Sequence, residues 1–207
     1  LIALVGGRIV PSFTRNWLAK RDPHHRPAPA TRADRAVVGL TGLAALAWTL
    51  APDHAATGTL AGAAALGNVW RLARWQGHRT WREPLLLVLH VGYAWLAVGL
   101  GLIALAAVTP AVAETAALHA LTAGAMGVMP AAVMTRAILG HTGRALTAGA
   151  GSALLFALLT LAAVLRVAAP IGGVWYLEVL GASALAWIAG FGLYLGLYGP
   201  LLLKPRR

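Results

Sequence analysis

Long apolar runs divided by short polar breaks set the pattern of this chain. Six runs, 36–51, 55–75, 84–108, 112–139, 146–168 and 174–203, are each about long enough to cross roughly 30 Å of hydrocarbon as a helix. None alternates with the two-residue period of a lipid-facing barrel strand, so the pattern predicts an all-α transmembrane bundle of about six spans. The breaks carry helix punctuation. Pro52, Asp53 and His54 turn the first pair, Glu83 precedes a proline at the start of the third span, and Thr109 with Pro110 ends it. Pro130 predicts a kink inside the fourth span, and Pro170 with Gly172 and Gly173 joins the last two. Residues 1–10 open on an apolar stub with neither a starting Met nor a basic flank, and read as the end of an upstream helix. On that reading the chain is a single membrane domain, the C-terminal half of a longer protein. Residues 11–35, rich in Pro, Arg and His, predict a basic loop, and 204–207 a short tail.

Composition strengthens the membrane reading. The chain is 59% hydrophobic and 11% charged with a mean hydropathy of +0.72, whereas soluble domains carry roughly a quarter charged residues. Of its 17 Lys and Arg, all but Arg166 fall on one side of the six-span arrangement. Basic loops are retained in the cytoplasm, so this bias orients the bundle with its C-terminus inside. A basic face also suits nucleic acid, but retention and contact with anionic lipid explain it fully in a membrane protein, and nucleic acid is set aside as a partner. No cysteine is present, which removes disulfides, thiolate metal sites and cysteine nucleophiles. Gly58 and Gly62, and Gly192 and Gly196, are spaced for close helix packing, while Trp48, Trp70, Trp75, Trp81 and Trp175 stand near span ends as interfacial anchors.

The candidate chemistry rests on histidine. His24, His25, His54 and His78 fall in loops or at span ends, where hydration makes them inexpensive. His90 and His119 lie inside apolar stretches, where an ionisable group marks either a functional site or a hydrogen-bonded packing group. At 1.5 Å per residue His90 lies roughly 30 Å from the Thr109–Pro110 turn and His119 roughly 13 Å from it, a depth mismatch that argues against both ligating one iron. His119, Thr122, Met126, Met129, Val133 and Arg136 follow at steps of three or four, which predicts a single stripe on one helix face. Met126 or Met129 is there as a soft copper ligand or as core packing. Arg136 and the following His141 and Arg144, with Arg8 and Arg15, suit anionic groups such as haem propionates, because guanidinium pairs with carboxylate in bidentate fashion.

Three stretches carry a family resemblance: GGRIVPSFTRN at 6–16, LHVGYAWLAVGLGL at 89–102 and LHALTAGAMGVMPAAVMTRAILGHTGRAL at 118–146. In these the chain resembles the NnrS family, bacterial inner-membrane proteins of the nitric-oxide response. The resemblance covers the whole chain loosely and about a quarter of it tightly. It implies a protein roughly twice this length with about twelve spans, binding haem and copper and protecting against nitrosative stress. It implicates His90 and Tyr93, then His119, Met134, Thr135, Arg136, His141, Thr142, Gly143 and Arg144, and Gly7, Arg8, Pro11, Arg15 and Asn16. It assigns no ligands, and it implies further histidines in an N-terminal half that would complete any metal site. Pro130 departs from the family pattern.

The function expected on these grounds is binding or buffering of nitric oxide at a haem, with copper as a second metal, held by intramembrane histidines. A metal-centred redox activity on nitric oxide stays open, but the cluster of histidines and a membrane glutamate that a nitric-oxide reductase needs is not visible. The alternative is a transporter or channel in which His90, His119 and Arg136 line a polar path. A third is a structural subunit whose histidines are satisfied packing groups.

Overall fold

The computed structural model describes residues 1–22, 24–171 and 173–203, and among them it is all-helical. Pro23, Gly172 and the basic tail 204–207 lie outside the described residues. A π-helical turn, Ile2–Gly6, runs directly into α1, Gly7–Leu18. Then come α2, Arg32–Leu50, α3, Ala55–Arg74, a 3-10 turn, Gly77–Thr80, and α4, Pro84–Ala106. The next helix is composite: α5, Glu114–His119, passes through a π-helical stretch, Ala120–Val128, into α6, Met129–His141. Finally α7, Ala150–Ala168, is joined by 3-10 turns to α8, Tyr176–Leu202.

The first helix reaches further than composition suggested. Residues 11–18, read above as loop, are helical because Val10, Thr14 and Leu18 recur four apart and bury one stripe, none of them more than 1% exposed. Pro11 is tolerated inside this helix, and the polar loop starts only after Leu18. There Asp22 takes hydrogen bonds from Arg79, at 2.9 Å, and from His25, at 2.8 Å. The bond to His25 is the main reason its carboxyl is held below the usual range. The helix α2 then begins in a reciprocal cap: Thr31 Oγ1 accepts from the Asp34 amide, while Asp34 accepts from the Thr31 amide.

Four helical segments are long and apolar enough to cross a membrane: Pro84–Ala106, Glu114–His141, Ala150–Ala168 and Gly173–Leu202. The chain is therefore a multi-pass membrane protein whose surroundings are lipid. The helices α2 and α3, of 19 and 20 residues, have the length but are diluted by Thr, Gly, Asn and Arg, so the expected six spans are met by four on hydropathy.

Packing runs in order from α2 through α3, α4, the composite helix and α7 to α8, with α4 at the centre. The core gathers Leu85, Leu89 and Tyr93 of α4 with Val128 and Met129 of the composite helix and Leu155 and Leu159 of α7. Small residues set the close approaches. A Cβ on Gly58 would meet Ala107 at 2.5 Å, and one on Gly92 would stand 3.0 Å from the backbone of Met129. By contrast Gly192 and Gly196, expected to pack, face open space on α8. Trp75, expected at an interface, is buried at 3% exposure, whereas Trp70, Trp81 and Trp175 are exposed.

Candidate functional site

One polar cluster occupies the end of the bundle where α1, α2, α3 and α4 meet. Its centre is Arg71 near the end of α3, 3% exposed. A guanidinium so enclosed needs a full set of acceptors, because an unpaired buried charge costs several kcal/mol. Arg71 Nη1 donates to the phenol oxygen of Tyr93 and, at 3.1 Å, to the carbonyl of Ala3 in the opening π turn. Its Nε stands 3.5 Å from Asp34 Oδ1, an ion pair without a hydrogen bond. Tyr93 donates in turn to Asn68 Oδ1 at 2.6 Å, and Asn68 Nδ2 donates to Thr41 Oγ1 at 2.9 Å. Asp34 also accepts from Arg74 at 2.7 Å. One carboxylate thus serves a helix cap and two guanidinia, and leaves the cluster with a surplus positive charge.

His90 lies one turn before Tyr93 on α4, 7% exposed. Its Nε2 is 2.9 Å from Thr14 Oγ1, and that hydroxyl spends its only proton on the carbonyl of Val10, also at 2.9 Å. Thr14 must then accept, so the imidazole proton sits on Nε2 and Nδ1 carries a bare lone pair. Nδ1 is buried and, among the described residues, has no hydrogen-bond partner. Buried polar atoms are nearly always satisfied, so an orphan of this kind calls for a reason. The ring is fixed by Trp75, at 6.5 Å between centroids, and by Gly77, where a Cβ would stand 2.6 Å from Nδ1. Trp75 also meets Tyr93 edge-on at 4.6 Å, with the Arg71 guanidinium 5.3 Å above its ring.

The other expected site residues divide. Arg8 and Arg15 line a cavity of about 220 Å³ together with Gly7, Ser12, Asp34 and Trp75. Arg15 is half engaged, reaching the carbonyls of Pro27 and Ala28, while Arg8 is exposed. Arg136, on α6, sets its guanidinium 4.1 Å over the ring of Phe13 of α1. His141 is exposed at the end of α6, and Arg144 reaches the carbonyl of Thr142. The motif around them is a helix stop. Gly143 takes the left-handed conformation, φ 74°, and the amides of Gly143 and Arg144 bond the carbonyls of Gly140 and Leu139, so Gly143 acts as a C-terminal cap.

His119 has a different setting, a cleft it shares with Arg166 of α7 and Ser183 of α8. The structure therefore keeps His90 and His119 apart, each with its own neighbours, and leaves Arg136 with neither. Among the described residues no three of His, Cys, Asp and Glu gather to hold a metal.

The expected stripe from His119 to Arg136 does not hold. Met126 is 64% exposed and Met129 only 4%, because the intervening helix is π-type. Hydrogen bonds from i to i+5 widen the turn, so a spacing of three or four no longer returns to one face. Pro130 marks where the α-helix resumes, in place of a simple kink.

The model of one protein family, described as NnrS protein, matches residues 1–206. The chain belongs to the NnrS family. No curated protein and no solved structure matches it. Within this NnrS chain, the residues that composition left unmarked are Thr14, Asp34, Asn68 and Arg71. A signal for two of them was available: Asn68 and Arg71 continue the face of Ala61, Ala64 and Ala65, the buried side of α3.

Proposed function

We propose that this NnrS protein serves the bacterial nitric-oxide response from the inner membrane, holding a haem at the α1–α4 end of the bundle through His90, with copper as a second metal. The observation that carries this reading is the unpartnered, buried Nδ1 of His90; Gly77 closes on that atom in this structure, so iron would reach it with displacement of the Gly77–Thr80 turn. A ligating histidine ordinarily donates its other ring N–H to an oxygen that fixes the tautomer, and Thr14 is that oxygen here. Guanidinia suited to propionates are close in the fold: Arg8 and Arg15 line the neighbouring cavity, and the cluster around Asp34 has positive charge to spare.

When bound, the haem iron supplies the site at which nitric oxide is held. The chain's own residues do the rest. Thr14 holds the imidazole in one orientation and one tautomer, and Trp75 packs beside its ring. Arg71 pins Tyr93, and with it the turn of α4 that carries His90. The apolar faces of the bundle admit nitric oxide from the bilayer. On this reading α2 and α3 complete six spans, supported by their length and by the basic residues gathered on one side, and the C-terminus is cytoplasmic.

The test is the absorption spectrum of the detergent-solubilised protein, oxidised and dithionite-reduced, beside His90→Ala and His119→Ala. A Soret band that shifts on reduction, is lost in His90→Ala and kept in His119→Ala, is the expected result. Its absence from protein made in haem-supplied cells would sink the proposal.

A further inference from the structure

The cleft at His119 is independent of the metal reading. It holds about 610 Å³ between the composite helix, α7 and α8. Its polar lining is His119, Thr122, Arg166 and Ser183, with no acidic residue. Among the described residues Arg166 makes no ion pair and no hydrogen bond. Thr122 spends its hydroxyl proton on the carbonyl of Leu118, at 2.7 Å, and Ser183 spends its own on that of Ala162, at 2.8 Å. The donors left for a ligand are the Arg166 guanidinium and the His119 ring, so the cleft asks for anionic oxygen.

The rest of the lining is apolar and runs inward. Arg166 stands two residues from the end of α7, whereas Trp187 lies eleven residues into α8, roughly 16 Å along its axis. The Trp187 ring is seated against Gly127, where a Cβ would meet it at 2.6 Å. Ile188, 66% exposed, carries this wall out to the lipid-facing surface. A charged head at the span end with an apolar channel leading from it has the outline of an amphiphile.

We propose that this cleft binds one anionic phospholipid, its phosphate on Arg166 and His119 and an acyl chain along Trp187 and Ile188. Charge complementarity selects the occupant: a zwitterionic headgroup brings its own cation into a lining that already holds Arg166 and no acidic residue, whereas a net-negative headgroup does not.

Trp187 is a built-in reporter. The full chain is placed in phosphatidylcholine nanodiscs doped with bromine-labelled phosphatidylglycerol or bromine-labelled phosphatidylcholine, and quenching of the Trp187 component is taken as wild type minus Trp187→Phe. Bromine-labelled phosphatidylglycerol should quench about fivefold more effectively, the weight of one cationic group near a membrane surface. Arg166→Gln should abolish that preference, His119→Gln should reduce it, and Arg166→Lys should retain it. Equal quenching by both lipids, a preference that survives Arg166→Gln, or its loss in Arg166→Lys would overturn the proposal. Displacement by millimolar inorganic phosphate would overturn it too, by making a free oxyanion the ligand.

Discussion

His90 and His119 look alike in the sequence, each a lone imidazole in an apolar helix, yet the fold treats them in opposite ways. His90 is enclosed, wired through Thr14 to a backbone carbonyl and overlaid by Trp75. Its neighbours form a chain of buried hydrogen bonds in which Asp34, Arg71, Asn68 and Tyr93 satisfy one another. His119 stands in an open cleft with a cation beside it and no network behind it. The contrast teaches that the cost of a polar group in a membrane protein is met in two ways, by internal satisfaction at one end and by what the bilayer can supply at the other.

This contrast can be broken or sharpened by substitution. Asp34→Asn should have the largest effect, about 3–5 kcal/mol, because it leaves Arg71 buried without its counter-charge. The measurement is reversible unfolding in mixed detergent micelles, and a loss below about 1 kcal/mol would show that the cluster is not closed. Next, Met129→Ala should cost about 2–5 kcal/mol, since its side chain fills the contact between the opening π turn and α4. Thr14→Val keeps the shape of the side chain but leaves the His90 Nε2 proton unsatisfied, and should cost about 1–3 kcal/mol. The smallest effects belong to the open end. Arg166→Gln and Met126→Ala should each change stability by less than about 0.5 kcal/mol in detergent without anionic lipid. Equal losses for Met126→Ala and Met129→Ala would restore the single-stripe reading of that helix.

The helical class, the membrane setting and the separation of the two histidines were legible in the sequence, because each rests on run length and on the rise per residue. The partners were not. Asp34, Arg71 and Arg74 read naturally as basic and acidic flanks of spans, since a charge near a helix end is ordinarily hydrated. That Arg71 points inward depends on α1 and α2 covering it, a long-range fact that no local pattern contains. Residues 11–18 were mistaken for loop for a related reason: they run into a stretch rich in Arg, Pro and His, while the stripe of Val10, Thr14 and Leu18 is visible only to helical phase. The propionate set Arg8, Arg15, Arg136 and Arg144 was half gathered by the fold, with Arg8 and Arg15 at one cavity and the other two spent on Phe13 and on a helix stop.

The π-helical stretch Ala120–Val128 has a consequence for how this chain tolerates change. A wide turn acts as a phase shifter: it accommodates surplus residues and resets the angle at which everything downstream leaves. Because a tightened turn needs fewer residues, deleting one there is absorbed by a return to the ordinary pitch, whereas tightening with none removed would swing the following segment about its axis. Met129 would leave Gly92, and Arg136 would leave Phe13. Along this segment pitch and residue count are coupled, so a single deletion should do less harm here than in the regular α-helical turns of Pro84–Ala106.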